Sequence, residues 1–256
     1  MTNATNGKIV LITGASRGLG RSMALHLADE GHDVIFTYRS RANEAQAVVE
    51  EIKGKGRTAL ALQLDVTRPD SFTDFAGRVR GALEPLWNRS DFDYLINNAG
   101  SGVYKPFMET TDGEFTRMVN EHIRGPYFLS QALLPLMTDG GRILNVSSGL
   151  TRMTLPGFSA YAMMKAAVET MSSYIAKELG PRSIRVNTIA PGAIETDFGG
   201  GLVRDTPDVN RFIASSTALG RVGLPDDIGG AVAALLDDRA AWINAQRIEV
   251  SGGQGL

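Results

Sequence analysis

Short apolar, β-branched runs alternate with longer helical segments along this chain, and this alternation constrains the fold most. The runs are continuously apolar, as in Ile9–Ile12 and Tyr94–Ile96. Continuous hydrophobicity is typical of strands that are covered on both faces, as in a parallel sheet. The strand candidates are Lys8–Thr13, Asp33–Tyr38, Thr58–Leu64, Asp93–Asn97, Arg142–Ser147, Ile184–Ala190 and Gln246–Val250.

Helical patterns fill the intervals between these runs. Thr111 and Glu114 have the spacing of a capping box, and Gly180-Pro181 is a helix stop signal. The alternation predicts an α/β fold: one doubly wound Rossmann-type domain over residues 1–256, with about seven parallel strands and helices on both faces. The predicted helices are Arg17–Glu30, Ala42–Lys53, Asp70–Ala82, Asp112–Met137, Ala160–Leu179 and Asp226–Leu236.

Two stretches, Leu83–Ser90 and Thr196–Thr217, do not follow the alternation, and both are too short to form domains. Ligands of open α/β sheets bind outside the carboxyl ends of the strands. A glycine-rich insertion after a strand end, here Gly199-Gly-Gly201, therefore predicts a substrate loop at 196–217. An ordinary surface excursion is the alternative.

The composition argues against several classes of protein. Twenty-six Lys and Arg residues against 28 Asp and Glu give a net charge of −2, which disfavours nucleic-acid binding and attachment to a membrane surface. The chain has no cysteine and three scattered histidines, so we expect no metal site. The polar start and the lack of a membrane-length apolar run predict a soluble, cytoplasmic protein.

A glycine-rich turn, Thr13-Gly-Ala-Ser-Arg-Gly-Leu-Gly20, follows the first strand. Its glycines allow a tight turn and a close approach to phosphate, and the N-terminus of the next helix offers free N–H groups to that phosphate. The turn lacks the lysine of a P-loop, which argues against a kinase-type site. It predicts dinucleotide binding.

The end of the second strand decides between the two nicotinamide dinucleotides. An acidic residue there would bind the ribose hydroxyls of NAD, but this chain has Tyr38-Arg39-Ser40-Arg41. Arg39, together with Arg17 of the glycine turn, would clamp the 2′-phosphate of NADP. Solvated surface arginines are the alternative. With the glycine turn present, NADP(H) is predicted over NAD(H).

Tyr161 and Lys165 lie four residues apart in an Ala-rich helical segment, so they share one helix face. A free tyrosine has a pKa of about 10, too high for proton transfer near neutral pH. A neighbouring ammonium favours the phenolate and lowers that pKa. The pair therefore suits a proton-transfer site, and an accidental pair is the alternative.

These motifs, with Asn97-Asn-Ala-Gly100, resemble the short-chain dehydrogenase/reductase family in its compact single-domain form, over about Lys8 to Gly253. The resemblance implies an NADPH-dependent oxidoreductase that transfers hydride between the nicotinamide and a ketone or secondary alcohol. A 3-oxoacyl thioester, as in the 3-oxoacyl-carrier-protein reductases, and a small hydrophobic ketone both stay open as substrates. The implied catalytic residues are Asn120, Ser148, Tyr161 and Lys165.

The resemblance gives each of these residues a role. Tyr161 donates the proton, and Ser148 positions the substrate oxygen and stabilises its developing charge. Ser147 is the alternative to Ser148. Lys165 lowers the pKa of Tyr161 and holds the nicotinamide ribose, while Asn120 orders a water in a proton relay, or stabilises a helix kink, or does both.

Further positions match the family's cofactor contacts, and Asn97 is interpreted as mainly structural. With Arg17, Arg39 and Ser40, the predicted cofactor contacts are Gly14, Ser16, Gly18, Leu19, Gly20, Asp65, Val66, Asn98, Ala99, Gly100, Tyr161, Lys165, Pro191, Gly192, Ile194 and Thr196.

The expected partners are a small-molecule carbonyl or alcohol and further copies of the chain. The Ala160–Leu179 segment is apolar on most of its circumference, so one side would stay exposed unless a partner or a neighbouring helix covers it. This favours a homo-oligomer, and many members of the family are tetramers. The alternative function is a non-catalytic dinucleotide-binding sensor or scaffold, which the intact catalytic positions disfavour.

Overall fold

A seven-stranded parallel sheet, in the strand order 3-2-1-4-5-6-7, organises the computed structural model, which describes residues 7–256. This confirms the predicted doubly wound α/β fold. The polar start used above to predict the compartment lies mostly in residues 1–6, outside the described residues. The strands are β1 (Ile9–Ile12), β2 (Asp33–Tyr38), β3 (Ala59–Gln63), β4 (Phe92–Asn97), β5 (Met137–Val146), β6 (Arg185–Pro191) and β7 (Arg247–Val250).

Helices cover both faces of this sheet. They are α1 (Gly18–Asp29), α2 (Ala42–Gly54), α3 (Phe72–Trp87), α4 (Asp112–Val119), α5 (Gly125–Leu133), α6 (Ser159–Glu178), α7 (Leu202–Asp205), α8 (Pro207–Ser215) and α9 (Pro225–Leu235).

Alternate side chains of each strand enter two separate apolar layers. Val10 and Ile12 of β1 pack with α1, α2 and α9 on one face of the sheet. Ile9 and Leu11 pack with α3, α5 and α6 on the other face. Because both faces are covered, the strands can be apolar at every position, which explains the continuous runs in the sequence.

The structure corrects two predicted boundaries. The predicted loop at Leu83–Ser90 is mostly helical, since α3 continues to Trp87 with Leu83 fully buried in the core. The predicted helix over Asp112–Met137 is interrupted by a π-helical segment, Asn120–Arg124, which separates α4 from α5. It also ends earlier, in a 3₁₀ turn that contains a proline, because proline cannot continue the helical hydrogen bonds.

The stretch 196–217 is more ordered than a simple loop, because it contains α7 and α8. Gly199, Gly200 and Gly201 precede α7 with φ angles of 61°, 75° and 82°. Three successive left-handed conformations are accessible at low cost only to glycine. This run therefore lets the chain change direction sharply just before α7.

Within residues 7–256, no helix is both long enough and apolar enough to cross a membrane.

Candidate active site

The glycine turn leads from β1 into α1. Gly14 and Gly18 have φ angles of +68° and +57°, and a Cβ on Gly20 would lie 2.3 Å from the carbonyl oxygen of Gly14. No side chain caps the start of α1, and no acidic residue lies in its first turn. The free N–H groups and the helix dipole therefore suit an anion such as a pyrophosphate. The turn has the backbone shape and the polarity that a dinucleotide requires.

The end of β4 holds this turn in shape. The Thr13 hydroxyl accepts the N–H groups of Asn98 and Ala99 at 2.9 and 3.0 Å. The Asn98 side-chain amide donates to the carbonyl oxygens of Thr13 and Gly14, both at 2.9 Å. The Asn98 amide thus supports the turn, and a Cβ on Gly14 would approach the Cα of Ala99 to 2.9 Å.

Both arginines of the predicted clamp, Arg17 and Arg39, are exposed, and Arg17 is also paired with a carboxylate. Arg39 and Ser40 are exposed at the end of β2. The Arg17 guanidinium donates to the Asp197 carboxylate at 2.6 Å, and Asp197 also pairs with Arg204 at 2.6 Å. Arg17 therefore connects the glycine turn to the 196–217 stretch through one of its guanidinium nitrogens.

Asp65 and Val66 follow the end of β3. Asp65 Oδ1 accepts hydrogen bonds from the Thr67 N–H at 2.9 Å and from its hydroxyl at 2.7 Å. This carboxylate therefore stabilises the turn after β3, and Val66 beside it is buried.

The segment after β6 reaches the glycine turn from the other side. A Cβ on Gly192 would lie 2.8 Å from the Ser251 Cβ, so this backbone packs tightly behind Pro191. Ile194 pairs with Gly223 in an isolated bridge. The Thr196 methyl group is the nearest contact that a Cβ on Gly18 would meet, at 3.9 Å. The predicted contacts after β1 and after β6 thus face one another.

The structure brings Ser148, Tyr161 and Lys165 together. Tyr161 and Lys165, on the first turns of α6, are only 6% and 5% exposed. Ser148, just after β5, lies close enough to the Tyr161 phenol for its side chain to act on the pKa of that phenol. The Lys165 ammonium donates to the Val146 carbonyl oxygen at 2.8 Å and lies 5.6 Å from the centroid of the Tyr161 ring.

The alternative serine, Ser147, has a different set of contacts. Its hydroxyl lies 2.6 Å from the Glu169 carboxylate and 3.3 Å from the Lys165 carbonyl oxygen. Ser148 is therefore the serine placed against Tyr161.

Burial dominates the electrostatics of this group. Burial raises the pKa of the Tyr161 phenol above its usual value, and the nearby Ser148 side chain opposes the shift. It also lowers the pKa of Lys165 to about 8, against the influence of the Glu121 carboxylate. The predicted lowering of the Tyr161 pKa by Lys165 is therefore wrong: the pKa is raised, and Lys165 is not among the groups that act on it. The phenol is neutral near pH 7, which is the form that a proton donor requires.

The structure does not bring Asn120 into this group. Its side-chain oxygen accepts a hydrogen bond from the Arg124 guanidinium at 3.2 Å. The buried residues of the first π-helical positions are instead Glu121 and His122. A cavity of about 10 Å³ beside Lys165 is lined by Glu121 and His122, and Asn120 is not part of its lining.

Helical periodicity is the signal that would have found His122. Met118, His122 and Leu129 follow one another at helical spacing, and all three are buried. Asn120 stands two positions from Met118, on a different side of the helix. The π-helical turn, with its i→i+5 hydrogen bond from the Gly125 N–H to the Asn120 carbonyl, places the Asn120 backbone at the widened turn.

Comparison with known proteins gives consistent matches over nearly the whole chain. A family model described as Enoyl-(Acyl carrier protein) reductase matches residues 14–254. A hydroxynaphthalene reductase-like protein of Metarhizium brunneum is 35% identical over 96% of this chain and 94% of its own length. The tetrahydroxynaphthalene reductase PfmaG of Pestalotiopsis fici is 36% identical, over 96% of this chain and 91% of its own length.

Solved structures match equally well. LugOII, described as a promiscuous reductase that catalyses keto-reduction at C1 during lugdunomycin biosynthesis, has a TM-score of 0.91 at 34% identity, covering 96% of this chain and 97% of its own. The angucycline C-6 ketoreductase LanV, solved with bound NADP, has a TM-score of 0.90 at 36% identity, covering 96% and 95%.

Proposed function

The chain belongs to the short-chain dehydrogenase/reductase family, and from this membership we propose that it is an NADPH-dependent reductase of ketones that also oxidises the matching alcohols. One observation carries the proposal: Ser148 and Lys165 both lie beside the buried Tyr161, and the loop that packs Phe198 on Tyr161 also brings Thr196 close to Gly18 of the glycine turn. The similarity to proteins named as reductases and ketoreductases supports it.

NADPH, when bound, would supply the hydride for the carbonyl carbon. Its pyrophosphate would lie over the glycine turn, with the N–H groups from Ser16 to Gly20 toward it. Arg39 and Ser40 would bind the 2′-phosphate, and Lys165 would hold the nicotinamide ribose. The carboxamide end of the nicotinamide would contact the segment after β6, at Pro191, Gly192, Ile194 and Thr196. The adenosine would lie along Asp65, Val66 and Asn98–Gly100. Structures of similar proteins with bound NADP or NADPH support this choice of cofactor.

The chain's own residues would handle the proton. Tyr161 is a neutral, buried phenol, so it can donate its proton to a carbonyl oxygen that becomes negatively charged. The Ser148 hydroxyl would donate a hydrogen bond to the same oxygen and stabilise its charge. Lys165 lies against the Tyr161 ring, where its positive charge would stabilise the phenolate that remains. The relay role of Asn120 stays a prediction; its side-chain oxygen contacts Arg124.

Aromatic side chains around Tyr161 favour a flat, fused-ring ketone as the substrate. The Phe198 ring lies 5.4 Å from the Tyr161 ring, and the Tyr104 and Phe158 rings pack at 5.1 Å with their planes tilted by 49°. Phe107 and Met108 are 79% and 88% exposed on the adjacent segment. Such rings stack on aromatic substrates. A related structure that holds rabelomycin, and relatives named for hydroxynaphthalenes, support the same class.

The 196–217 stretch would act as the substrate loop, since it carries Phe198 over Tyr161. We further propose that the chain is one domain that assembles as a homotetramer. Helix α6 leaves Met163 and Tyr174 half-exposed or more, and a second copy would cover them. Light scattering at micromolar concentration tests this: a mass of 27.4 kDa, that of one chain, would contradict it.

A panel of ketones, monitored by NADPH absorbance, tests the proposed reaction. We expect NADPH to be consumed fastest with fused-ring aromatic ketones, more slowly with small aliphatic ketones, and more slowly with NADH than with NADPH. A protein that binds NADPH tightly and reduces no ketone of the panel would instead support the sensor or scaffold alternative.

A further inference from the structure

Two ionisable side chains that the proposed reaction does not use are buried beneath Tyr161 and Lys165. Glu121 and His122 lie on the π-helical segment and are 6% and 2% exposed. Ionisable groups are rarely buried unless they are paired or hydrogen-bonded, because the loss of hydration is costly. Their contacts therefore indicate what they do.

The contacts of His122 define its tautomer. Its Nε2 lies 2.7 Å from the Ser101 carbonyl oxygen, which can only accept, so Nε2 carries the hydrogen. Burial and the Lys165 charge lower the pKa of His122 to about 3, so the imidazole is neutral. Nδ1 is then a lone-pair acceptor. It is buried and has no hydrogen-bond partner within residues 7–256.

His122 is held close to the reacting phenol. Its ring packs edge-on against the Tyr161 ring, with the centroids 5.3 Å apart. A Cβ on Gly100 would lie 2.7 Å from the imidazole Cε1, so only glycine at that position leaves room for the ring. The imidazole is therefore fixed between Gly100 and Tyr161.

Glu121 supplies the negative charge of the group. Its carboxylate accepts a hydrogen bond from the Ser101 hydroxyl at 2.5 Å. The same charge raises the pKa of Lys165 against the effect of burial, and raises that of Tyr161. The other charged groups that act here are Lys165 itself, from α6, and Arg117 of α4, which acts on His122.

A small cavity joins these groups. It has a volume of about 10 Å³ and is lined by Glu121, His122 and Lys165 among others. Its lining combines these polar groups with apolar side chains such as Leu129 and Val168, and a cavity of this size is close to the smallest that can hold a water molecule. The orphaned Nδ1 and the buried ammonium thus both border a space that suits a single hydrogen-bonding molecule.

We propose that Glu121 and His122 are positioning residues for Tyr161 and Lys165. Glu121 is the counter-ion that keeps the buried Lys165 charged, and His122 presents Nδ1 as the acceptor that orders the hydrogen-bond donors around the cavity. The inference rests on the proposed function, because its readouts are NADPH binding and ketone reduction.

The first test follows the charge on Lys165 through the pH dependence of NADPH binding, measured by fluorescence. The charged lysine is present below its pKa, so wild-type affinity should weaken as the pH rises through about 8. Glu121→Gln keeps an acceptor for Ser101 but removes the charge, so the midpoint should fall by about one pH unit or more. Ser101→Ala is the matched control, since it removes the hydrogen bond and keeps the charge, and its midpoint should not move. A Glu121→Gln midpoint equal to the wild-type value would overturn the counter-ion role.

The second test separates the two nitrogens of His122. Gln places a polar atom where Nε2 lies and has none at Nδ1, whereas Asn does the reverse. His122→Gln should therefore lower kcat for ketone reduction by about tenfold or more with little change in KM, and His122→Asn should lower it less. The opposite order would show that the Ser101 contact, rather than Nδ1, is what matters.

The controls distinguish this inference from the proposed function. If the wild-type protein neither binds NADPH nor reduces a ketone, the proposed function has failed. If the wild-type protein does both and the Glu121 and His122 variants have unchanged profiles, only the positioning role is wrong. Thermal unfolding of each variant identifies any that do not fold. If the variants of one test do not fold, the variants of the other test decide whether the positioning role is correct.

Discussion

The glycine turn after β1 and the π-helical segment between α4 and α5 both shape the site, but their geometry has different origins. The turn is built from consecutive residues whose backbone angles and absent side chains decide its shape, as at Gly14, Gly18 and Gly20. In the π-helical segment, the widened helical turn decides which side chains face the core, and here these are Glu121 and His122. Glycine positions and the helical spacing of buried residues such as Met118 and His122 are visible in a sequence, whereas the widened turn itself is not.

This difference explains what could be predicted from the sequence. Strand–helix alternation gave the doubly wound sheet, because continuous apolar strands need cover on both faces. The spacing of Tyr161 and Lys165 placed both on one face of α6, and the structure buries them side by side. The family resemblance implies a site role for Asn120, but the π-helical segment places Glu121 and His122 at the cavity beside Lys165 instead.

The pKa values of Tyr161 and Lys165 are the other feature that the sequence could not predict. A lysine four residues from a tyrosine predicts a lowered phenol pKa, but the depth of burial is a property of the tertiary structure. Here burial raises the pKa of Tyr161 and lowers that of Lys165. The Arg17–Asp197 pair, with partners 180 positions apart, is equally invisible to local patterns.

Among the variants that probe the glycine turn and the surroundings of the π-helical segment, removal of Lys165 should affect ketone reduction and NADPH binding most. Lys165→Ala removes both the charge beside Tyr161 and the predicted ribose contact. We expect kcat to fall by roughly 10²-fold or more and NADPH binding to weaken as well. Stopped-flow reduction and fluorescence titration measure the two effects. A variant that loses affinity alone, with kcat intact, would remove Lys165 from the proton chemistry.

Gly20→Ala tests whether the turn works through its backbone. The added Cβ would lie 2.3 Å from the Gly14 carbonyl oxygen, so the turn must distort. We expect NADPH binding to weaken by about tenfold or more and unfolding to become easier by about 1–3 kcal/mol. Gly77→Ala on α3 is the control, since its Cβ meets open space and should stabilise the helix by about 0.5–1 kcal/mol. Equal behaviour of the two variants would contradict the steric argument.

Arg39→Ala tests the predicted choice of cofactor. A charge-assisted contact to phosphate contributes about 1.5–3 kcal/mol, so the NADPH-to-NADH ratio of kcat/KM should fall by about tenfold or more. Arg41→Ala is the neighbouring control, because Arg41 pairs with Glu44 at 2.6 Å. If Arg41→Ala changes the ratio as much as Arg39→Ala does, the phosphate contact has been assigned to the wrong residue.

Asn120→Ala should have the smallest effect. Its side chain contacts only the exposed Arg124 guanidinium among the described side chains, so kcat should stay within about threefold of the wild-type value. A fall of the size expected for Lys165→Ala would restore the relay role that the resemblance implies for Asn120. The assay is the same ketone reduction, with NADPH binding as the check on folding.

The most direct test of the central claim is the hydride-transfer rate of Tyr161→Phe on a ketone that the wild-type protein reduces. Phe keeps the buried ring and its packing against His122 and Phe198, and removes only the hydroxyl. The account predicts a rate lower by about 10²–10⁴-fold with NADPH affinity nearly unchanged. It also predicts that wild-type alcohol oxidation rises toward alkaline pH, since the Tyr161 pKa is raised and the phenol must then lose its proton. A Tyr161→Phe variant that reduces the ketone at close to the wild-type rate would contradict the account.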